Sequence, residues 1–430
     1  MKKLFISFLI LGCSTSIAFA QKNEVTSTEN ITRILNTLAS DEMEGRSALG
    51  LGIWKAADFI AAEFKAIGLK PYAEQDYKQS FDVEQKKTKN QIVKIDGKPL
   101  ASEEFLMLGD AINPKNKKIN LSIGADEDFS TRFREIMQND STEVKVQVDA
   151  KHAAFLARFK RIYNRDQITL KSERAKPVKS KLFYIAAAGK TPDEITNTQS
   201  TTDIKMFNVA AILPGKSKPD EYVIFSAHYD HIGILPAVDQ DSIANGADDD
   251  ASGTTAMIEL ARYYKQLDNN ERTIIFVAFT AEEIGMFGSK YFSNNIDPEK
   301  VVAMINIEMI GKDSKFGLNS LYVTGYDASD LGKLMQENVK GSKFTFHPDP
   351  YKTQNLFYRS DNAVLAALGV PAHTFSTSQI DKDQYYHTVK DEVSTLDIQN
   401  IKSSIEAIAK GAIGIIQGKQ TPTRVEKLRK

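Results

Sequence analysis

The chain has 430 residues, of which 42% are hydrophobic and 26% charged, and a formal net charge of −1. That balance is ordinary for a globular protein and excludes the strongly basic class of nucleic-acid and anionic-membrane binders. The length predicts two or three domains with cores large enough to need no disulfide staples.

Lys2 and Lys3, an apolar run over 4–11 and Ala18-Phe19-Ala20 read as a signal peptide over residues 1–20, cleaved before Gln21. Cleavage there removes Cys13, the only cysteine, which suits export to an oxidising compartment. A second reading makes Leu11-Gly12-Cys13 a lipobox-like site with Cys13 lipidated. No later stretch is apolar enough for a transmembrane helix. The expected product is exported, periplasmic or secreted, without an integral span.

Residues 29–69 read as two helices split by a polar loop over 40–46. Thr28 or Asn30 is placed to cap the first, in which Ile31, Ile34, Leu35 and Leu38 keep helical spacing. Ala56, Ala57, Ile60, Phe64 and Ile67 share a face of the second, and Gly68 ends it. Residues 21–84 are taken as the N-terminal part of the main domain. From 85 to 206 lysine-rich turns separate short alternating segments, and an inserted, mostly β subdomain is expected. One amphipathic stretch lies within it, over 152–163. From 207 to 420 strand and helix signals alternate. The unbroken apolar runs 273–279 and 301–305 look like strands buried on both faces, which argues an α/β sheet covered by helices. Helices are expected over 251–267 and 404–416, and residues 421–430 read as a loose basic tail.

The chemistry sits at the ends of these strands, where open α/β sheets form their sites. His228 follows the 222–227 strand, Glu282 and Glu283 follow 273–280, and Glu308 ends 301–307. Asp249 lies in the loop before the helix that starts near Ala251. His228 and His387 supply imidazole nitrogens of the kind zinc takes, and Asp230 is placed to accept the other N–H of His228. Asp249, between small residues, suits a bridge between two cations. Adjacent Glu282 and Glu283 cannot point the same way from an extended backbone, so one ligates while the other faces substrate as a general base.

His-x-Asp at 228–230, Gly-Ala-Asp-Asp-x-Ala-Ser-Gly at 246–253, Ala-Glu-Glu-x-Gly at 281–285 and Tyr-His-Thr at 386–388 occur in this order. The set resembles the co-catalytic di-zinc aminopeptidases of metallopeptidase clan MH, peptidase family M twenty-eight. Glu44-Gly45-Arg46 and Asn208-Val209 with Leu213-Pro214-Gly215 extend the likeness over about two-thirds of the chain. The resemblance implies a three-layer zinc-exopeptidase fold with a mixed, mostly parallel sheet, and two Zn2+ ions. His228 and Glu308 would serve one metal, Glu283 and His387 the other, and Asp249 both. Glu282 would act as the base that takes a proton from a water between the metals. Asp230 would orient His228, and a cis peptide would follow Asp249. Two positions depart from the pattern: Glu308 stands where Asp is common, and Asn362 where the family often has His.

The function this implies is removal of N-terminal residues from peptide substrates. A carboxypeptidase or dipeptidase, a glutaminyl cyclase on the same fold and an inactive binding module are the alternatives. Phe357, Tyr358, Tyr385 and Tyr386 are expected to line the side-chain pocket. Arg46 and Arg359 have no assigned place. His231 is expected in an outer or surface role, His152, His347 and His373 in structural ones, and Trp54 in packing.

Overall fold

The computed structural model describes residues 25–73, 76–115, 120–138, 143–164, 166–173 and 179–428. The signal segment over 1–20, and Cys13 with it, lies outside them. Among the described residues no helix is long and apolar enough to cross a membrane. The chain forms two compact units, one from residues up to 81 together with 206 onward, the other from 82–205.

The first unit is built on a mixed sheet of β1 (Glu194–Leu213, from Met206 onward in this unit), β2 (Lys218–His228), β3 (Arg272–Phe279), β4 (Val301–Ile307), β5 (Ser320–Val323), β6 (Thr345–Pro348) and β7 (Ala372–Ser376). Their order is β6-β5-β7-β4-β2-β3-β1. The neighbours β3-β2, β2-β4 and β4-β7 are parallel, whereas β1 joins β3 and β5 joins β7 antiparallel. Alternate side chains of each central strand enter opposite cores. On β3, Ile274, Phe276 and Ala278 enter one and Ile275, Val277 and Phe279 the other, which is why the run reads as continuously apolar.

Helices cover both cores. Residues of α1 (Thr28–Leu38), α2 (Gly52–Ile67), α3 (Gly253–Leu267), α5 (Leu331–Asn338) and α7 (Ile398–Gly411) fill the first. Phe292 of α4 (Phe287–Asn294) and Leu365 and Ala366 of α6 (Asn362–Ala367) fill the second.

Several boundaries differ from the sequence expectation, each for a capping or docking reason. Ser27, not Thr28 or Asn30, caps α1, its hydroxyl accepting the Asn30 N–H. The final long helix begins at Ile398 rather than 404, because Asp397 accepts the N–H groups of Gln399 and Asn400. Residues 421–428 are docked rather than loose. Val425 is buried, its N–H donates to Gly369 O, and the Arg424 guanidinium donates to Val301 O and Pro298 O.

The second unit is mostly strand, as expected, and also carries two α-helices. Its four-stranded sheet runs Phe105–Leu108, Lys181–Ile185, Val144–Val148, Asn120–Ile123, with the last two pairings parallel. Parallel neighbours need crossovers. The helices Phe129–Gln138 and Ala153–Tyr163 supply them, burying Phe129, Phe133, Ile136 and Leu156 against Leu106, Val146 and Phe183.

His373 on β7 shows how a polar residue survives in the second core. Its Nδ1–H donates to Thr324 O at 2.7 Å, and its Nε2 accepts from the Ser329 hydroxyl at 2.7 Å. Both nitrogens are thus satisfied in the neutral ring, and burial lowers the pKa from 6.5 to about 4. The unfolded chain takes up this proton near 6.5, the folded chain only near 4. Stability from this group is therefore full above the upper value and falls by about 3 kcal/mol as pH drops through the window. Unfolding midpoints measured from pH 7 to pH 4 should decline less steeply in His373→Asn than in the parent.

Candidate metal centre

Three parallel strands end side by side and hand their next residues to one cavity. His228 is the last residue of β2, opposite Phe279 of β3, while Glu282 and Glu283 leave the end of β3 and Glu308 follows β4. Asp249 arrives from the turn ahead of α3, where the Asp249–Asp250 peptide is cis. His387 comes from a long connection after β7, at φ +57°.

The contacts among these groups are short. His228 Nε2 lies 3.2 Å from Asp249 Oδ1, and His387 Nε2 lies 3.2 Å from Asp249 Oδ2 and 3.0 Å from Glu283 Oε2. His231 is buried, its Nδ1 2.9 Å from Glu283 Oε1, so of the outer and surface roles expected for it the surface one is excluded. Ligand atoms of His231, Asp249, Glu283 and His387 all fall within 4.8 Å of one another. Glu282 and Glu308 line the same cavity, of about 360 Å³, as Asp249 and Glu283.

Electrostatics make this cluster expensive without a cation. Burial, the like charges of Glu308, Asp361 and Glu283 adding to it, raises the Glu282 carboxyl well above its usual value. Burial also opposes the charged form of Asp249, yet His228, His387 and His231 hold it well below the ordinary carboxylate range. Glu308 Oε2 is buried and accepts no hydrogen bond among the described residues. Imidazole nitrogens and carboxylate oxygens converging at these distances are the donor set zinc takes, so the residues fit the group.

The supporting shell is mostly main chain. His228 Nδ1–H donates to the Asp230 carbonyl at 3.0 Å, and the Asp230 carboxylate lies farther off, at 3.8 Å. That carboxylate instead accepts the N–H groups of Glu282 and Glu283, so it orients the glutamate pair more directly than the imidazole. Asp248 and Asp250 are buried. Asp248 accepts the Gly311 N–H, and Asp250 accepts those of His228, Gly253 and Met309. Asp391, which the sequence reading passed over, accepts the N–H groups of Asp248 and Asp249. Asn362 is clamped to Phe357 O, Ala372 O and Thr374 Oγ1, so it braces the second core instead of facing substrate.

Arg46 has the most demanding position. It is fully buried, in the left-handed region at φ +48°, and its guanidinium donates to the carbonyls of Tyr229, Leu38, Asn245 and Gly246. Burial lowers its pKa while Asp249, Asp391 and Asp230 raise it. Gly45 beside it, at φ +62°, lies so close to Ala244 O and Gly233 O that a Cβ would collide with both.

Of the four aromatic residues expected in the pocket, Tyr386 lines the cavity. Phe357 is in the second core, stacked on His373, with Tyr358 packed against it, and Tyr385 is exposed beside Lys312.

An α/β sheet whose strand ends gather such ligands defines a class, the fold of the zinc aminopeptidases. The chain superposes on an aminopeptidase from Aneurinibacillus sp. strain AM-1 with TM-score 0.56 at 18% identity, over 94% of this chain and 96% of that one. It superposes on a zinc aminopeptidase from Bacillus subtilis with TM-score 0.55 at 15% identity, over 95% and 100%. The profile described as Peptidase family M28 matches residues 208–412, and this stretch of the chain belongs to that family. Among curated relatives, Aminopeptidase YwaD of Bacillus subtilis is 22% identical over 220 residues, 50% of this chain and 45% of the relative. A probable zinc metalloprotease of Pyrenophora teres f. teres is 36% identical over 110 residues, 25% and 23% of the two chains. The chain thus spans a quarter to a half of the length of these relatives.

Arg46→Met should lower the stability of the folded chain by about 3–5 kcal/mol, since four buried carbonyls lose a charged donor. Denaturant titration of the purified variant checks this, and Arg46→Lys should recover little, because one ammonium lacks the planar fork that reaches all four.

Proposed function

We propose that the protein is an exported zinc aminopeptidase that uses two zinc ions to hydrolyse N-terminal residues from peptides. The observation that carries the reading is the meeting of His231, Asp249, Glu283 and His387 within 4.8 Å, with Asp249 and Glu283 lining a cavity together with Glu282 and Glu308. Family membership of residues 208–412 supports it. Export is proposed on residues 1–20, whose basic start, apolar run and small-residue site read as a signal peptide.

His228 and Glu308 are proposed to hold one zinc, Glu283 and His387 the other, with Asp249 serving both. His231, hydrogen-bonded to Glu283 Oε1, fixes which oxygen that glutamate offers. When bound, zinc supplies Lewis acidity that polarises a peptide carbonyl and eases deprotonation of water. The chain's own proton carrier is Glu282. Its backbone is fixed by Asp230, and its raised affinity for a proton matches a group that must take one from water and return it to the leaving amine nitrogen.

Glu282→Gln should keep its zinc and lose activity on aminoacyl-p-nitroanilides by about 10²–10⁴-fold in kcat. Elemental analysis should give two zinc ions per chain in the parent and in this variant, and fewer in Asp249→Asn. A chelator should abolish release of p-nitroaniline, and added zinc should restore it.

A further inference from the structure

The charges that line the cavity do not balance by themselves. Beyond the four carboxylates of the metal centre, its charged lining residues are Arg359, Asp381 and Asp383. Both aspartates are already engaged. Asp381 pairs with Lys315 at 2.9 Å and accepts the Tyr351 hydroxyl at 2.8 Å, and Asp383 pairs with Lys312 at 2.7 Å. Arg359 has no carboxylate within ion-pair distance and no side-chain hydrogen bond among the described residues. Its placement is nonetheless defined. Its N–H donates to Leu356 O in the short turn before α6. The next residue, Ser360, is buried, its hydroxyl accepting from Asn306 Nδ2 at 2.9 Å, and it lines the same cavity as Glu308. The backbone of Arg359 is therefore fixed at the cavity wall, while its exposed side chain keeps a free guanidinium there.

We propose that Arg359 is a specificity-determining residue that receives a substrate carboxylate, so that the preferred substrates are peptides carrying an anionic group close to the scissile bond. This rests on the aminopeptidase reading above. A guanidinium presents a planar fork that matches a carboxylate with two parallel hydrogen bonds, which an ammonium does not. A site built around such a donor rejects neutral analogues, because they leave its charge without a partner. The carboxylate has two sources: the side chain of an N-terminal aspartate or glutamate, and the C-terminal carboxylate of a dipeptide. In both, the amine and scissile carbonyl meet the acidic, metal-holding residues while the anion meets Arg359.

Two substrate pairs test the proposal on the zinc-loaded full chain. L-glutamyl- and L-leucyl-p-nitroanilide differ in the side-chain carboxylate, and leucyl-glycine and leucyl-glycinamide differ in the terminal one. Arg359→Leu should lower kcat/KM for the anionic member of one pair by about 10- to 100-fold and leave its neutral member within about twofold. Arg359→Lys should fall between. A selective loss in the first pair identifies the side-chain source, and in the second the terminal source. Equal effects on both members of both pairs, or no effect on any, would overturn the proposal. Should the parent cleave none of the four, the aminopeptidase reading fails, and binding decides the role of Arg359 separately. Zinc-loaded Glu282→Gln protein is then titrated calorimetrically with glutamic acid α-amide against leucinamide, and with leucyl-glycine against its amide. Carboxylate-dependent binding that Arg359→Leu removes sustains the inference, and binding indifferent to the carboxylate sinks it.

Discussion

The constraint on which the structure depends is the crowding of buried carboxylates at one edge of a sheet. Asp230, Asp248, Asp249 and Asp250 are all but inaccessible to water, and Glu282, Glu283, Glu308, Asp361 and Asp391 stand around them. A charge taken out of water is stabilised only by hydrogen bonds, opposite charge or a cation. The protein uses main-chain hydrogen bonds for some of these acids and imidazoles for others, and leaves atoms such as Glu308 Oε2 without a hydrogen bond among the described residues. Asp230, Asp250 and Asp391 are each surrounded by main-chain N–H groups, whereas Asp249 and Glu283 face imidazoles.

Arg46 is the counterpart on the cationic side. It pairs with no single carboxylate; it gathers four carbonyls from three separate segments while its charge acts at a distance on Asp249, Asp391 and Asp230.

Much of the first unit was legible in the sequence because its signals are local. Continuous apolar runs identify β3 and β4, and the ligands sit where such strands end. What sequence concealed depends on contacts between distant segments. His231 has the same neighbours in sequence as a loop histidine, and only the approach of Glu283 from β3 makes it part of the centre. Phe357 and Tyr358 belong to an aromatic pair that packs on His373, a partner 16 residues from the first of them, so their clustering near the site was no guide to the pocket. The helix Phe129–Gln138 was missed because charged and polar residues fill its exposed face, leaving Phe129, Phe133 and Ile136 as the whole apolar signal. The basic composition of the tail suggests a loose segment, whereas Arg424 and Val425 dock it through three main-chain carbonyls and a small apolar contact that composition does not encode.

The clamp on the turn over 246–249 is drawn from segments far apart in the chain: Arg46 holds the Gly246 carbonyl, and Asp391 holds the N–H groups of Asp248 and Asp249. A chain whose 387–391 segment has not yet docked lacks one imidazole of the cluster and this second grip, however well its central strands have formed. The orientation of Asp249 is therefore a late product of tertiary assembly, whatever the strength of the local helix and strand signals around it.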